Sequence, residues 1–299
     1  MITIKKTNEF NGHFASIHTL SSEADGLLFS GGVDKHLIKW NLKDINSSKV
    51  IAKTTEAIYS IYFDHYNNYL FVGTSSGKIH VIDLIEQKEI KVLKNHAGAV
   101  FYLKSHNDFL FSCGGDGVLS IIRLKDLSTI KLISLCKEKI RFMDIKNDVA
   151  ALACGDASVV ILDLITFKIQ NRFVAHKKSC NVVRFNPNNE TLLTGGWDAH
   201  LNIWDEKFEL INSIPAHNYA IYSIVFSPDK NLFATGSRDR MIKIWKTDDI
   251  ESPKTISQEN LSGHQFSVNK LVWNEKTGLL YSASDDKKIM EWDIKMANE

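Results

Sequence analysis

Apolar and polar residues alternate in short runs along almost the whole chain. Leu201-Asn202-Ile203-Trp204 and Ile242-Lys243-Ile244-Trp245 turn every second side chain to one face, the period of a half-buried strand. Leu192 to Gly196, Leu232 to Gly236 and Leu279 to Ala283 are β-like runs that end in small residues. Turn clusters separate them, at Pro187-Asn188-Asn189-Glu190, at Pro228-Asp229-Lys230-Asn231 and from Asn274 to Gly278. No window sustains a period of 3.6. A second pattern places apolar residues at offsets 0, 3 and 5, as in Ile58, Ile61, Phe63 and in Ile221, Ile224, Phe226. Val268, Leu271 and Trp273 repeat it. Offset 3 breaks the alternation, so each such strand carries one extra residue, a β-bulge that re-aims its neighbours. The chain is predicted to be all-β.

The runs recur. Trp40, Ile82, Ile122, Leu162, Trp204, Trp245 and Trp292 fall roughly 40 residues apart, the last step a few residues longer. Six residues before each stands Asp34, Ser76, Asp116, Asp156, Asp198, Asp239 or Asp286. Four residues earlier again is a hydroxyl in five units: Ser30, Ser112, Thr194, Thr235 and Ser282; Val72 and Leu152 replace it in units two and four. A histidine opens five units, as His13, His96, His176, His217 and His264, with Thr54 and Cys136 in the other two. Seven units of four short strands fill the chain, so residues 1–299 are read as a single domain.

Composition narrows the function. Charge is nearly balanced, 36 Lys plus Arg against 35 Asp plus Glu, whereas a nucleic-acid binder carries a basic excess. No nucleic-acid partner is expected. No stretch approaches the roughly 18 apolar residues of a membrane span, and the N-terminus has no apolar leader. The four cysteines, Cys113, Cys136, Cys154 and Cys180, lack C-x-x-C spacing and read as reduced, buried thiols. A cytoplasmic protein is expected.

These residues resemble the WD-repeat family. Gly12-His13 and Gly263-His264 match its Gly-His pair, and Trp204-Asp205 and Trp292-Asp293 its Trp-Asp pair. Trp40 and Trp245 are followed instead by Asn41 and Lys246, and units two to four lack the Trp. The resemblance implies a closed seven-bladed β-propeller with four-stranded antiparallel blades. It also implies that each repeat straddles two blades, so the last blade is completed by the N-terminal strand, Ile2 to Thr7. The family links His, Ser/Thr, Asp and Trp by hydrogen bonds within a blade. Four structural tetrads follow: His13-Ser30-Asp34-Trp40, His176-Thr194-Asp198-Trp204, His217-Thr235-Asp239-Trp245 and His264-Ser282-Asp286-Trp292. Unit three keeps His96, Ser112 and Asp116. Units two and four are expected to have replaced the network with apolar residues.

Serine, histidine and aspartate together raise the question of a hydrolase. A nucleophile must be exposed beside an oxyanion site; here the trio repeats around a ring next to a buried Trp. No phosphate loop is present, and His13 and His18 do not make a metal cluster. No catalytic residue, cofactor or metal is expected. His65, His80, His106 and His200 are expected to be solvated.

By the same resemblance, residues flanking the first apolar residue of the bulged strand, and the residue before the turn Asp, face the ring mouth. Among them are Tyr59, Phe101, Lys139, Arg141, Trp197, Tyr222 and Arg238, in which the aromatics and Arg are types that interfaces favour. Lys139, Arg141 and Arg238 are expected on one side of the mouth, near Trp197 and Tyr222. The expected function is a non-catalytic, monomeric scaffold that binds a protein or peptide, acidic with a hydrophobic anchor, at the mouth. The alternative is a propeller enzyme or small-ligand binder that uses the central channel. The opposite face, with the connection Thr247 to Glu259 projecting, is the alternative place for a partner.

Overall fold

A computed structural model describes residues 1–23, 26–44 and 47–296. The chain is a seven-bladed β-propeller. Seven antiparallel sheets each contain four strands. In six of them the four strands follow one another in sequence; blade 1, for example, runs Ile17–Glu23, Leu27–Gly32, His36–Asn41 and Lys49–Lys53. The seventh takes three strands from the C-terminal end and its outer strand, Ile2–Asn11, from the N-terminal end. Ile2 faces Met296 and Asn11 faces Lys288, with one irregularity between Lys6 and Asn8.

Alternation makes these elements. In blade 2 the third strand, Lys78–Asp83, buries Ile79, Val81 and Ile82, and in blade 4 the second strand, Val149–Cys154, is buried almost throughout. Second strands are apolar on both faces because blades pack on each side of them. Outer strands read differently. Ser128–Ser134 and Leu210–Pro215 are exposed along most of their length. The core is therefore a set of layers between neighbouring blades. One joins Phe111, Leu119 and Ile121 of blade 3 to Ile140, Leu152 and Val160 of blade 4. Another sets Phe10, Trp40 and Tyr281 together, the Phe10 and Trp40 rings edge to face at 5.6 Å.

Every first strand carries the bulge. The register shifts between Ile17 and Thr19, Ile58 and Ser60, Val100 and Tyr102, Ile140 and Phe142, Cys180 and Val182, Ile221 and Ser223, and Val268 and Lys270. The extra residue is thus the one directly after the first apolar position.

The backbone contacts group into two compact units, residues 1–55 with 217–299, and residues 56–216. The first holds blades 6, 7 and 1; the second holds blades 2 to 5. The connection from Thr247 to Glu259 differs from expectation. Only its first part, residues 247–253, is loop, because Lys254–Ile256 pairs with Ile242, Lys243 and Ile244 as the outer strand of blade 6. A one-turn helix, Gln258–Leu261, follows. No helix among the described residues is long and apolar enough to cross a membrane.

Candidate interaction site and family

The turn between second and third strands is where the sequence motif becomes geometry. In blade 6 the Trp245 indole N–H donates to Thr235 Oγ1 at 3.0 Å, and Thr235 lies 2.8 Å from His217 Nε2. His217 Nδ1 lies 2.9 Å from Asp239 Oδ2. The direction of the chain follows from its first member. An indole only donates, so the hydroxyl hydrogen goes on to Nε2, which leaves the imidazole proton on Nδ1 for the carboxylate. Blades 1, 5 and 7 repeat it, with Trp-to-hydroxyl distances of 2.7, 3.0 and 2.9 Å. Their hydroxyl-to-His distances are 2.6, 2.9 and 2.8 Å. Blade 3 keeps the inner part, His96 to Ser112 at 2.8 Å and to Asp116 at 3.1 Å.

Each Asp also ties two backbone segments. Asp198 accepts the N–H groups of Lys177 and His200, and Asp239 those of Asn218 and Met241. Burial alone would raise the Asp198 pKa. The His176 hydrogen bond and the N–H donors outweigh it and bring the carboxyl down to about 2. The same balance holds Asp34, Asp116, Asp239 and Asp286 below the ordinary carboxylate value. Burial pushes the His13 and His96 pKa values down, against the pull of Asp34 and Asp116. The hydroxyls of Ser30, Ser112, Thr194, Thr235 and Ser282 are fully buried.

A second set of repeated bonds fixes the bulge row. The N–H of the residue before the turn Asp donates to the carbonyl of the residue before the first apolar position in all seven blades. Trp197 to Ser179, Gly155 to Lys139 and Arg238 to Ala220 are three examples, at 2.9, 2.7 and 2.9 Å. The bulge residues and the pre-Asp residues therefore share one end of their sheet.

In the unit of residues 56–216, three of these side chains form an array. The Tyr59 and Phe101 rings meet edge to face at 5.5 Å, and the Arg141 guanidinium lies over Phe101, 5.2 Å from its centroid. Small pre-Asp residues make the room. A Cβ on Gly115 would stand 3.3 Å from the Phe101 ring, and one on Gly155 3.0 Å from Lys139 Cγ. Desolvation, with the Arg141 charge second, lowers the Lys139 pKa. Trp197, in the same unit, belongs to no tetrad and is 37% exposed. Tyr222 and Arg238 belong to the other unit, where the Arg238 guanidinium lies 6.0 Å from the centroid of the Tyr219 ring.

Sequence reasoning passed over three exposed aromatics of the unit of residues 1–55 and 217–299: Phe14 at 74%, Tyr219 at 60% and Phe266 at 57%. The signal was available. Tyr219 and Phe266 each stand two residues after a tetrad His, and each carbonyl accepts a serine hydroxyl, from Ser237 and Ser284. Asp285 is engaged by Asn269 at 2.7 Å. Three of the histidines expected to be solvated are partly exposed and also have partners: His80 with Glu89, His106 with Asp148, and His200 with the Asp198 carbonyl. In blade 4 the network is not apolar, since Cys136 takes the His place and its thiol donates to the Glu138 carbonyl at 2.8 Å.

The family model for "WD domain, G-beta repeat" matches residues 4–41, 167–205, 208–246 and 255–293, together more than half of the chain. The chain belongs to the WD40 family. The four matched stretches are those with a complete tetrad; the unmatched span contains the three units without the Trp. No curated protein matches the sequence. Among solved structures, the WD40 β-propeller domain of Doa1 superposes with a TM-score of 0.86 at 15% identity, over 97% of each chain. WD40 propellers are typically non-catalytic protein-interaction scaffolds, and the fold of this chain is theirs.

Proposed function

We infer that this WD40 propeller is a monomeric, cytoplasmic scaffold, acting as one domain over residues 1–299. It binds an acidic peptide that carries a hydrophobic anchor. The observation that carries this reading is the Tyr59–Phe101–Arg141 array, with the Lys139 ammonium nearby and Trp197 half-exposed in the same unit. A guanidinium stacked on a ring can pair bidentately with a carboxylate through its edge. The aromatic surface covers an aliphatic or aromatic neighbour at little cost in side-chain entropy. Tyr222 and Arg238 are assigned the same role in their own unit. A hydrolase that uses the Ser-His-Asp trios lacks support, because those hydroxyls are buried and already serve an indole or imidazole.

A peptide array of acidic residues next to Phe, Leu or Ile tests the reading, with calorimetry on the best binder. Arg141→Glu combined with Trp197→Ala is expected to weaken binding by about 2 kcal/mol or more, as central Arg and Trp positions do. Thermal melting of the same samples should be nearly unchanged, because neither residue belongs to a tetrad. Unchanged affinity in the folded double variant places the site elsewhere.

A further inference from the structure

The strand that completes the last blade passes into the tetrad of blade 1 through Asn11 and Gly12. Asn11 ends the ladder opposite Lys288, and Gly12 lies past it. Both residues are exposed. On either side of them the chain is fixed. Phe10 is buried, edge to face with Trp40 and tilted against Tyr281. His13 is buried too, 2.6 Å from Ser30 Oγ and 2.8 Å from Asp34 Oδ2.

Packing dictates the glycine. A Cβ on Gly12 would stand 2.8 Å from Trp40 Cη2, so a larger residue would press on the tetrad indole. Asparagine is among the chemically labile residues, and the residue after it decides how easily its side chain is attacked. Glycine has no Cβ to shield its amide nitrogen and has the freest backbone. No other asparagine in the sequence precedes a glycine. The matching junction of blade 7 is Ser262-Gly263-His264, with no amide before the glycine. Asparagines elsewhere are held in place. The carboxamides of Asn202, Asn269 and Asn274 donate to the Ala175 carbonyl, the Ile17 carbonyl and the Ser22 hydroxyl. The contacts of Trp40 thus impose the one residue that leaves an exposed asparagine open to attack.

We propose that Asn11 is a site of spontaneous deamidation, and that its isoaspartyl product loosens the closure of the last blade. The Gly12 amide nitrogen gives its proton to water and attacks Asn11 Cγ. The N–Cγ bond forms, the Cγ–Nδ2 bond breaks, and ammonia leaves with a proton, so a succinimide ring remains. Water then opens the ring. Attack at Cγ restores the original peptide bond and yields aspartate. Attack at the Asn11 backbone carbonyl cuts that bond and yields isoaspartate, linked through Cγ. In both, one amide and one water become one carboxylate and one ammonium. The aspartyl product keeps the backbone and places its charge on the residue opposite Lys288. The isoaspartyl product makes the main chain one methylene longer between Phe10 and His13. That slack falls on Gly12, already against the Trp40 ring, and on two anchors. Either the Phe10 ring leaves Trp40 and Tyr281, or His13 leaves Ser30 and Asp34.

The test starts with the native protein, held in mildly alkaline buffer, sampled over days and digested with trypsin. A sample digested at once sets the background. Peptide 7–35 is expected to gain the mass of an amide-to-acid change, placed at Asn11 rather than Asn8 by fragmentation. It should also accept labelled methyl groups from an isoaspartyl methyltransferase, several-fold more than any other asparagine peptide. In Asn11→Gln, where closure needs a six-membered ring, that label should fall to background. Peptide 7–35 unchanged after ageing, or changed at Asn8 alone, overturns the site. Asn11→Asp keeps the normal backbone and should melt with fresh native protein. Aged protein should melt lower, in proportion to its isoaspartyl content. Aged protein rich in isoaspartate that melts with Asn11→Asp overturns the loosening.

Discussion

At the scale of single residues, the tetrad works because each member has one role the next can complete. The indole must donate, the hydroxyl relays, and the imidazole donates its Nδ1–H to a carboxylate that also holds two backbone segments. Thr235→Val leaves the Trp245 N–H and His217 Nε2 buried without partners, and should cost about 1–3 kcal/mol. The Thr54 hydroxyl donates to the Lys35 carbonyl at 3.2 Å in a partly exposed setting, so Thr54→Val should stay within about 0.5 kcal/mol. Urea denaturation of both variants checks the contrast; equal losses would contradict the network. The same chain makes stability depend on acid. His13 and His96 titrate below 6.5 when folded, so the unfolded chain binds protons first as pH falls below that value. The tetrad carboxylates repeat this lower down, from the ordinary 3.8 to about 2 for Asp198. Both shifts reduce stability on acidification. The denaturation midpoint should start to fall below pH 6.5 and fall again below pH 4, and a midpoint constant from pH 7 to 3 would contradict these shifts.

At the scale of elements, the turn after the second strand is built alike in every blade. The residue after the turn position, Lys35, Gly77, Gly117, Ala157, Ala199, Arg240 or Lys287, adopts a left-handed backbone in each. Side chains with a Cβ are strained there, so Ala157→Gly should stabilise by about 1 kcal/mol. Gly117→Ala should do the reverse and more, because its Cβ would stand 2.0 Å from the Cys136 carbonyl. Denaturation midpoints moving in opposite directions would establish the pair. Elements were legible wherever spacing carried them. The offsets 0, 3 and 5 located the bulge, since an inserted residue must break alternation. The outer strand Lys254–Ile256 was not legible: three residues with polar flanks pair with a neighbour without any period of their own.

At the scale of the molecule, seven repeats in register made the architecture readable before any single blade was. The candidate site was readable only as a row of positions. Which members of the row touch depends on side-chain packing within each unit, as Arg141 on Phe101 shows, and no repeat pattern encodes that. The strand from the N-terminal end is the element on which the last blade depends most. It buries Phe10 against Trp40 and Tyr281 and joins Glu9 to Lys288 at 2.6 Å. Truncating a buried Phe alone costs about 3–5 kcal/mol. Deleting residues 1–10 also bares the edge of Lys288–Met296, so a much lower melting temperature and aggregation are expected; melting with the full-length protein would contradict this pairing. The register of that strand has a mechanical meaning as well. Ile2 and Met296 face each other at one end of the pair, so a force applied between them loads the hydrogen bonds one after another. Such a joint opens like a zipper under modest tension. Its natural stopping place is the irregularity at Thr7, where a hydroxyl bonded to Glu291 at 2.7 Å interrupts the row.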